Sequence, residues 1–153
     1  MADVQRTLAL LKPDTVQREL VGDVLQRFER KGLKIVGLKF IHLDETILAD
    51  HYAHLTDKPF YKGLVEFMTQ TPVVAIVLEG IDVVAEVRKI VGSTNPREAD
   101  AGTIRADFSM DVAGNIVHAS DSPENAEAEI KRFFGEGEIF DYKKFTDQYT
   151  FGE

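Results

Sequence analysis

Apolar and polar positions along the chain fall into two rhythms, one of short continuous apolar runs and one of helical stripes. Residues 7–11 form an apolar run stopped by Lys12-Pro13-Asp14, the pattern of a central strand that ends in a turn. Leu20, Val21, Val24, Leu25 and Phe28 share one helical face and predict a helix over 20–31, ended by Gly32. Residues 33–41 read as a second strand, and two helical pieces follow at about 45–54 and 60–70, separated by Thr56-Asp57-Lys58-Pro59. Pro72 opens a third strand over 73–78. Val83, Val84, Val87, Ile90 and Val91 then mark a helix over 81–91 that stops at Gly92. A connector over 93–115, rich in Gly, Asp, Asn and Pro, leads to a short fourth strand holding His118. The last helix, 123–134, turns Ala126, Ile130, Phe133 and Phe134 inward, and 135–153 reads as an irregular tail.

With the extra helices set aside, the order is strand, helix, strand, strand, helix, strand. That is the α/β (α+β) plan of a ferredoxin-like βαββαβ sandwich: a four-stranded antiparallel sheet with helices packed on it. The 153 residues fit one domain spanning 1–153. A connector as long as 93–115 without obvious elements is usually functional or disordered, and Ile104 and Phe108 within it favour an ordered, functional loop.

Composition narrows the function classes. A chain that is 44% hydrophobic and 29% charged has the balance of an ordinary globular protein. The absence of cysteine excludes disulfides, thiolate metal sites and a thiol nucleophile. The first residues lack a basic segment followed by an apolar run, so no signal peptide is read and a cytoplasmic location is expected. The run over 73–78 is too short to span a bilayer. A formal charge of −8 argues against a nucleic-acid or anionic-membrane footprint. An anionic substrate then requires a local basic cluster set against the overall field.

The most informative stretch is Asn115-Ile116-Val117-His118-Ala119-Ser120-Asp121-Ser122-Pro123-Glu124. Ser122 suits an N-cap and Pro123 the first helical position, and a helix N-terminus favours anions. Imidazole, with an unperturbed pKa close to neutrality, supplies a nucleophile near pH 7. His118 beside an anion site therefore suggests covalent phosphoryl chemistry, and the plainer alternative is a histidine that satisfies a backbone carbonyl. Glu124, Glu127 or Glu129 could orient the ring, and the helical wheel does not choose between Glu127 and Glu129. No G-x-x-x-x-G-K-[ST] or G-x-G-x-x-G motif occurs, so a chain that handles phosphates must hold them with side chains. Lys12, Arg88 and Arg105, near predicted element ends and in the connector, are the candidates, the plainer reading of each being a solvated surface charge. His51 and His54, near Asp50 and Asp57, lack a third ligand at helical spacing, and no protein-held metal is expected. His42 reads as structural. Phe60 and Tyr61 are either core residues or a platform for a base.

Four segments carry a resemblance to a known family: Leu11-Lys12-Pro13-Asp14, Lys58-Pro59-Phe60-Tyr61, the run from Gly102 through Thr103, Ile104, Arg105, Ala106 and Asp107 to Phe108, and Asn115 through Ser122. The last resembles the N-x-x-H-x-S-D motif of the nucleoside diphosphate kinases, and the resemblance extends from about Arg6 into the tail. It implies that His118 is phosphorylated, that Glu129 holds the Nδ1–H of His118, and that Ser120 packs a hydroxyl beside both. It further implies that Lys12 and Asn115 meet the sugar hydroxyls and that Tyr52, Arg88, Thr94 and Arg105 surround the phosphates. Phe60 and Val112 match the pair that sandwiches the base, and Asp121 a position near the metal and phosphates. Mg²⁺ is implied as a companion of the nucleotide. Ala106 and Ala119 stand where glycine is frequent in the family, and Lys58 where arginine is; none of these changes removes a chemical group.

The resemblance implies ping-pong transfer of the γ-phosphoryl group from a nucleoside triphosphate to a nucleoside diphosphate, with broad base tolerance, by a homohexamer. Two alternatives differ in chemistry. A phosphohistidine carrier needs His118 but not Lys12 and Asn115, and a non-catalytic ferredoxin-like module binds nucleotide without a free nucleophile.

Overall fold

The computed structural model describes residues 3–152. Its sheet has four antiparallel strands, β1 (Val4–Leu11), β2 (Lys34–Ile41), β3 (Val73–Ile81) and β4 (Val117–Ala119), in the spatial order β2-β3-β1-β4. The helices are α1 (Pro13–Gln17), α2 (Val21–Lys31), α3 (Glu45–His51), α4 (Tyr61–Thr69), α5 (Val83–Val91), α6 (Ile104–Phe108), α7 (Pro123–Phe133) and α8 (Asp147–Thr150). Central strands β1 and β3 are apolar on both faces because both faces are covered. Ala9, Leu11, Val74, Ile76 and Leu78 pack with Val24 and Phe28 of α2 and Val83, Val87 and Val91 of α5. Leu8, Leu10, Val73, Ala75 and Val77 pack with Leu48 of α3, Met68 of α4 and Phe133 of α7. The ferredoxin-like sheet expected from the sequence therefore carries helices on its second face as well.

Several boundaries differ from the sequence reading for physical reasons. Strand β1 begins at Val4 and β3 runs to Ile81, so Ile81 is strand and not the start of a helix. Arg6 and Glu79 stand opposite each other and are joined by a 2.8 Å ion pair, which carries the ladder beyond its apolar stretch. Lys12-Pro13-Asp14 is not a simple turn: Pro13 starts the five-residue α1. The expected helix over 45–54 stops at His51 and continues as a 3₁₀ turn, Ala53–Leu55. The helix over 123–134 ends at Phe133, with Phe134 extended. The connector over 93–115 holds a 3₁₀ turn, Pro96–Glu98, and α6, whose N-cap Thr103 accepts from the Ala106 N–H at 3.2 Å. Gly92 (φ +90°) ends α5 where a Cβ would lie 2.5 Å from Thr103 Oγ1, so α5 and α6 approach as only glycine permits. The tail is not wholly irregular, since it folds back through α8, and buried Lys34 reaches Asp147 at 3.1 Å and the Tyr142 carbonyl at 2.8 Å.

Two of these features place the site. Alternation along β4 sends Val117 and Ala119 into the α2/α5 core, and His118, opposite Leu10, toward α7. Helix α7 begins as its sequence predicts, with Ser122 Oγ accepting from the Asn125 N–H at 3.1 Å and Pro123 in the first turn.

Candidate active site

A cleft of about 690 Å³ opens where the end of β4, α7, α3 and the connector meet. Lys12, Tyr52, Phe60, Arg88, Thr94, Arg105, Asn115, His118, Asp121 and Glu129 line it together. Ser120, fully buried, stands behind the wall. Val112 is not brought into the lining; its side chain is exposed on the connector.

His118 Nε2 lies 2.7 Å from Glu129 Oε1, and Ser120 Oγ donates to Glu129 Oε2 at 2.7 Å. This corrects the expectation that Glu129 holds Nδ1. Nε2, at the far end of the ring, reaches across from β4 to α7, so it carries the donated hydrogen and Nδ1 keeps the free lone pair. Glu129 is the partner the helical wheel left undecided, and Glu127 instead pairs with Lys131 at the surface. Burial pushes the Glu129 carboxyl up, but the His118 hydrogen bond and charge, with Ser120, outweigh it and hold the group below its ordinary range.

The cations converge. Lys12 Nζ donates to Asn115 Oδ1 at 2.7 Å, and Asn115 Nδ2 donates to the Thr94 carbonyl at 3.1 Å. Burial, aided by Arg105, pushes Lys12 down to about 8, while Asp14 works in the opposite sense. Arg105 is pushed down to about 10 by burial and by Arg88. Half-buried Lys12 and buried Arg105, repelling each other over an open cleft, form a seat for an anion. The local basic cluster that an anionic substrate requires is therefore present despite the acidic chain. Burial, then Glu129, raises the Tyr52 hydroxyl to about 12, so it stays protonated as a donor.

His51 belongs to this site although the sequence suggested only a weak pairing with His54. It is buried, its ring edge-on to His118 with centroids 4.7 Å apart, while His54 is exposed in the 3₁₀ turn. Arg132 Nη1 donates to His51 Nδ1 at 3.0 Å, and Arg132 Nε donates to Asp50 Oδ2 at 2.7 Å. Burial and His118 depress the His51 pKa. His51, His118 and Glu129 lie close enough for a metal. The donor set does not suit one: Glu129 already accepts two hydrogen bonds, and Arg132 on Nδ1 leaves the His51 proton on Nε2. No residue-level pattern in the sequence pointed to Arg132, because an arginine beside an apolar helical stripe reads as a solvated charge.

The nucleoside diphosphate kinase family model matches residues 5–139. The chain belongs to this family. Nucleoside diphosphate kinase from Methanobrevibacter smithii is 51% identical over 140 residues, 92% of this chain and 93% of that one. Among solved structures, the halophilic nucleoside diphosphate kinase from Halobacterium salinarum in complex with CDP aligns with a TM-score of 0.92 at 43% identity, covering 96% of this chain and 98% of that one. A nucleoside-diphosphate kinase from Borrelia burgdorferi, a transition state mimic with bound vanadate and ADP, aligns with a TM-score of 0.88 at 36% identity, covering 96% of each chain. Membership in the nucleoside diphosphate kinase family and the ferredoxin-like sheet thus agree with the reading of the four sequence segments.

Proposed function

We infer that this protein acts as a nucleoside diphosphate kinase through a phosphohistidine formed at His118 Nδ1. The observation that carries the reading is the Ser120–Glu129–His118 arrangement: Glu129 and Ser120 occupy one side of the ring, and among the described residues Nδ1 has no hydrogen-bond partner in a cleft ringed by Lys12, Arg88 and Arg105. The vanadate and ADP bound by the Borrelia relative are a phosphoryl-transfer pairing that this cleft suits.

The Nδ1 lone pair forms a bond to the γ-phosphorus, the bond from phosphorus to the bridging oxygen breaks, and its electrons leave with the nucleoside diphosphate. Nε2–H stays in place, and ionised Glu129 stabilises the positive charge the ring acquires. In the second half, a terminal oxygen of an acceptor diphosphate attacks the same phosphorus, and the N–P electrons return to Nδ1. Arg88 and Arg105 offset the negative charge on the transferred group, because phosphoryl transfer rests on positioning and electrostatics. Lys12 and Asn115 meet the sugar, and Tyr52 and Thr94 complete the phosphate site.

The substrate is the Mg²⁺ complex of the nucleotide. The carboxylates of the cleft are already engaged, Asp50 by Arg132, Glu129 by His118 and Ser120, and Asp121 by Asn125 Nδ2 at 2.6 Å. A nucleotide-held ion with Asp121 in its outer shell suits that donor set better than a protein-held one. Phe60 (57% exposed), which lines the cleft, supplies the base platform, and contact with the face of a base removes apolar surface from water without reading its edges.

Among the described residues no helix is long and apolar enough to cross a membrane. A homohexamer remains the expected assembly. Leu38 and Phe40 on edge strand β2, with Phe140, Phe145 and Tyr149 of the tail, are apolar side chains left in water by a single copy. The deciding experiment incubates the protein with ATP labelled at the γ-phosphate and then adds unlabelled diphosphate. Acid-labile label that moves to the diphosphate is the expected result, label that stays on the protein indicates a carrier, and no label indicates a binding module.

A further inference from the structure

Ile116, fully buried between Asn115 and Val117, has φ +76°. The Val117 N–H closes back on the Asn115 carbonyl at 2.8 Å, so Ile116 is the centre of a γ-turn of the rare positive-φ kind. A β-branched residue leaves that conformation unless its surroundings over-determine it. Here they do. Asp14 Oδ2 accepts from the Ile116 N–H at 3.0 Å, the Lys12 N–H donates to the Ile116 carbonyl at 2.9 Å, and the Thr15 hydroxyl donates to the same oxygen. Arg105 straddles the turn, with Nε on the Asn115 carbonyl at 3.2 Å and Nη2 on the Val117 carbonyl at 2.6 Å.

The turn sits between the two halves of the chemistry. On one side Asn115 turns its amide to Lys12 Nζ, and two residues after the turn's centre His118 meets Glu129. We propose that Asp14 is a positioning residue: its carboxylate holds Ile116 in the left-handed conformation and so fixes the sugar-binding pair and the His118 nucleophile relative to one another. The Lys12 N–H and Thr15 hydroxyl anchor the Ile116 carbonyl and Arg105 the flanking carbonyls of Asn115 and Val117, while Asp14 is the acceptor for the Ile116 amide itself. Without that acceptor, Ile116 relaxes toward negative φ and the peptide planes on either side rotate. The second Asp14 oxygen is buried without a partner among the described residues, an unfavourable placement for a carboxylate whose role is solvation and one that suits a group held for position.

The inference rests on His118 being the nucleophile, so the test first measures the label on the wild-type protein. Single-turnover phosphorylation by ATP is then followed in Asp14→Ala, Asp14→Asn, Ile116→Gly and the Asp14→Ala/Ile116→Gly double variant. Asp14→Ala should lose roughly tenfold or more in maximal rate, with a smaller change in ATP affinity, because misplaced reacting groups are penalised mainly in the transition state. Asp14→Asn keeps an oxygen acceptor and should recover most of the loss. Glycine adopts positive φ without strain, so in the Ile116→Gly background the Asp14→Ala change should cost about threefold or less. Equal losses in both backgrounds overturn the proposal, as does an Asp14→Asn variant as slow as Asp14→Ala. If Asp14→Ala alone fails to fold, Asp14→Asn, which keeps the acceptor, carries the test: it should fold and phosphorylate near the wild-type rate, and a large loss of rate in it overturns the proposal. A wild-type protein that takes no label overturns the phosphohistidine reading instead, which keeps the two failures distinct.

Discussion

Glu129 Oε1 accepts a 2.7 Å hydrogen bond from His118 Nε2, across the gap between α7 and β4. The bond fixes the tautomer in which Nδ1 is nucleophilic and places a negative charge where the ring becomes positive. Glu129→Gln keeps an oxygen acceptor but removes that charge. The rate of phosphoenzyme formation should fall by about tenfold or more, with a much smaller effect on ADP affinity. Stopped-flow phosphorylation beside equilibrium ADP binding checks this, and an unchanged rate with weakened binding assigns the carboxylate another task.

Ser120 extends the same arrangement. Its hydroxyl is fully buried and donates to Glu129 Oε2 at 2.7 Å. Ser120→Ala leaves one oxygen of a buried carboxylate without its donor, a loss of about 1–3 kcal/mol for a hydrogen bond to a charged group. Thermal unfolding should shift to lower temperature, and phosphorylation should slow less than in Glu129→Gln. A variant with unchanged stability would mean that water takes over the hydroxyl's place.

Lys12 gives the site an alkaline limit. Burial lowers its pKa to about 8 in the folded chain, so the charged form that the proposed nucleotide site uses is lost as pH rises through 8. The value of kcat/KM, which reports the free enzyme, should decline above about pH 8 instead of holding to the ordinary lysine range near 10.4. Stability runs the other way. Between about pH 8 and 10.4 the unfolded chain binds the extra proton, so the Lys12 contribution rises with pH across that window. Lys12→Gln should be slow and should lack this limb of the profile, and a limb that persists in that variant belongs to a different group.

The sequence made the site legible where chemistry is local. The stretch from Asn115 to Pro123 sets strand, histidine, cap and helix in one linear run, and the strand, the cap and the helix form where they are expected. Alternation and helical periodicity found the strands and long helices because burial on known faces demands those patterns. Boundaries failed where a tertiary pair decides them: Arg6 and Glu79 extend β1 and β3, and neither residue signals a strand by itself. The ring nitrogen facing Glu129 depends on how far β4 stands from α7, a distance no one-dimensional pattern contains. The roles of His51, Arg132 and Asp14 were hidden for a related reason. Each acts on a residue more than eighty positions away or on another element, and their significance appears only once β1, α3 and α7 are packed around β4.

The proposed assembly rests on apolar surface that a single copy leaves in water. Phe145 is fully exposed and Tyr149 nearly so, and Leu38 and Phe40 project from an edge strand. Light scattering at micromolar concentration should give a mass near six chains. Substitution of Phe40 and Leu38 by serine should shift the population to smaller species if the edge strand takes part. A monomer for the unaltered chain would refute the expectation.

The sugar pair yields the most discriminating test of the proposed chemistry. Lys12 Nζ and Asn115 Oδ1 are 2.7 Å apart in the cleft that holds His118, with Asn115 tied to the Thr94 carbonyl, so the two polar groups are set before any substrate arrives. If they hold the sugar hydroxyls, the 3′-hydroxyl is turned toward the phosphates, where it can donate to the oxygen that leaves. A donor aimed there is worth most in the transition state, as the bridging oxygen gathers negative charge. A site built to bond a hydroxyl also discriminates strongly against analogues that lack it, because its own polar groups are left unpaired. The 2′-hydroxyl has no such path to the reacting bond. Pre-steady-state phosphorylation of His118 should therefore proceed at similar maximal rates with ATP and 2′-deoxy-ATP. With 2′,3′-dideoxy-ATP it should be slower by a hundredfold or more, on the order of 3 kcal/mol of transition-state stabilisation. Equal maximal rates for all three nucleotides would remove the leaving-group role and reduce Lys12 and Asn115 to groups that only bind.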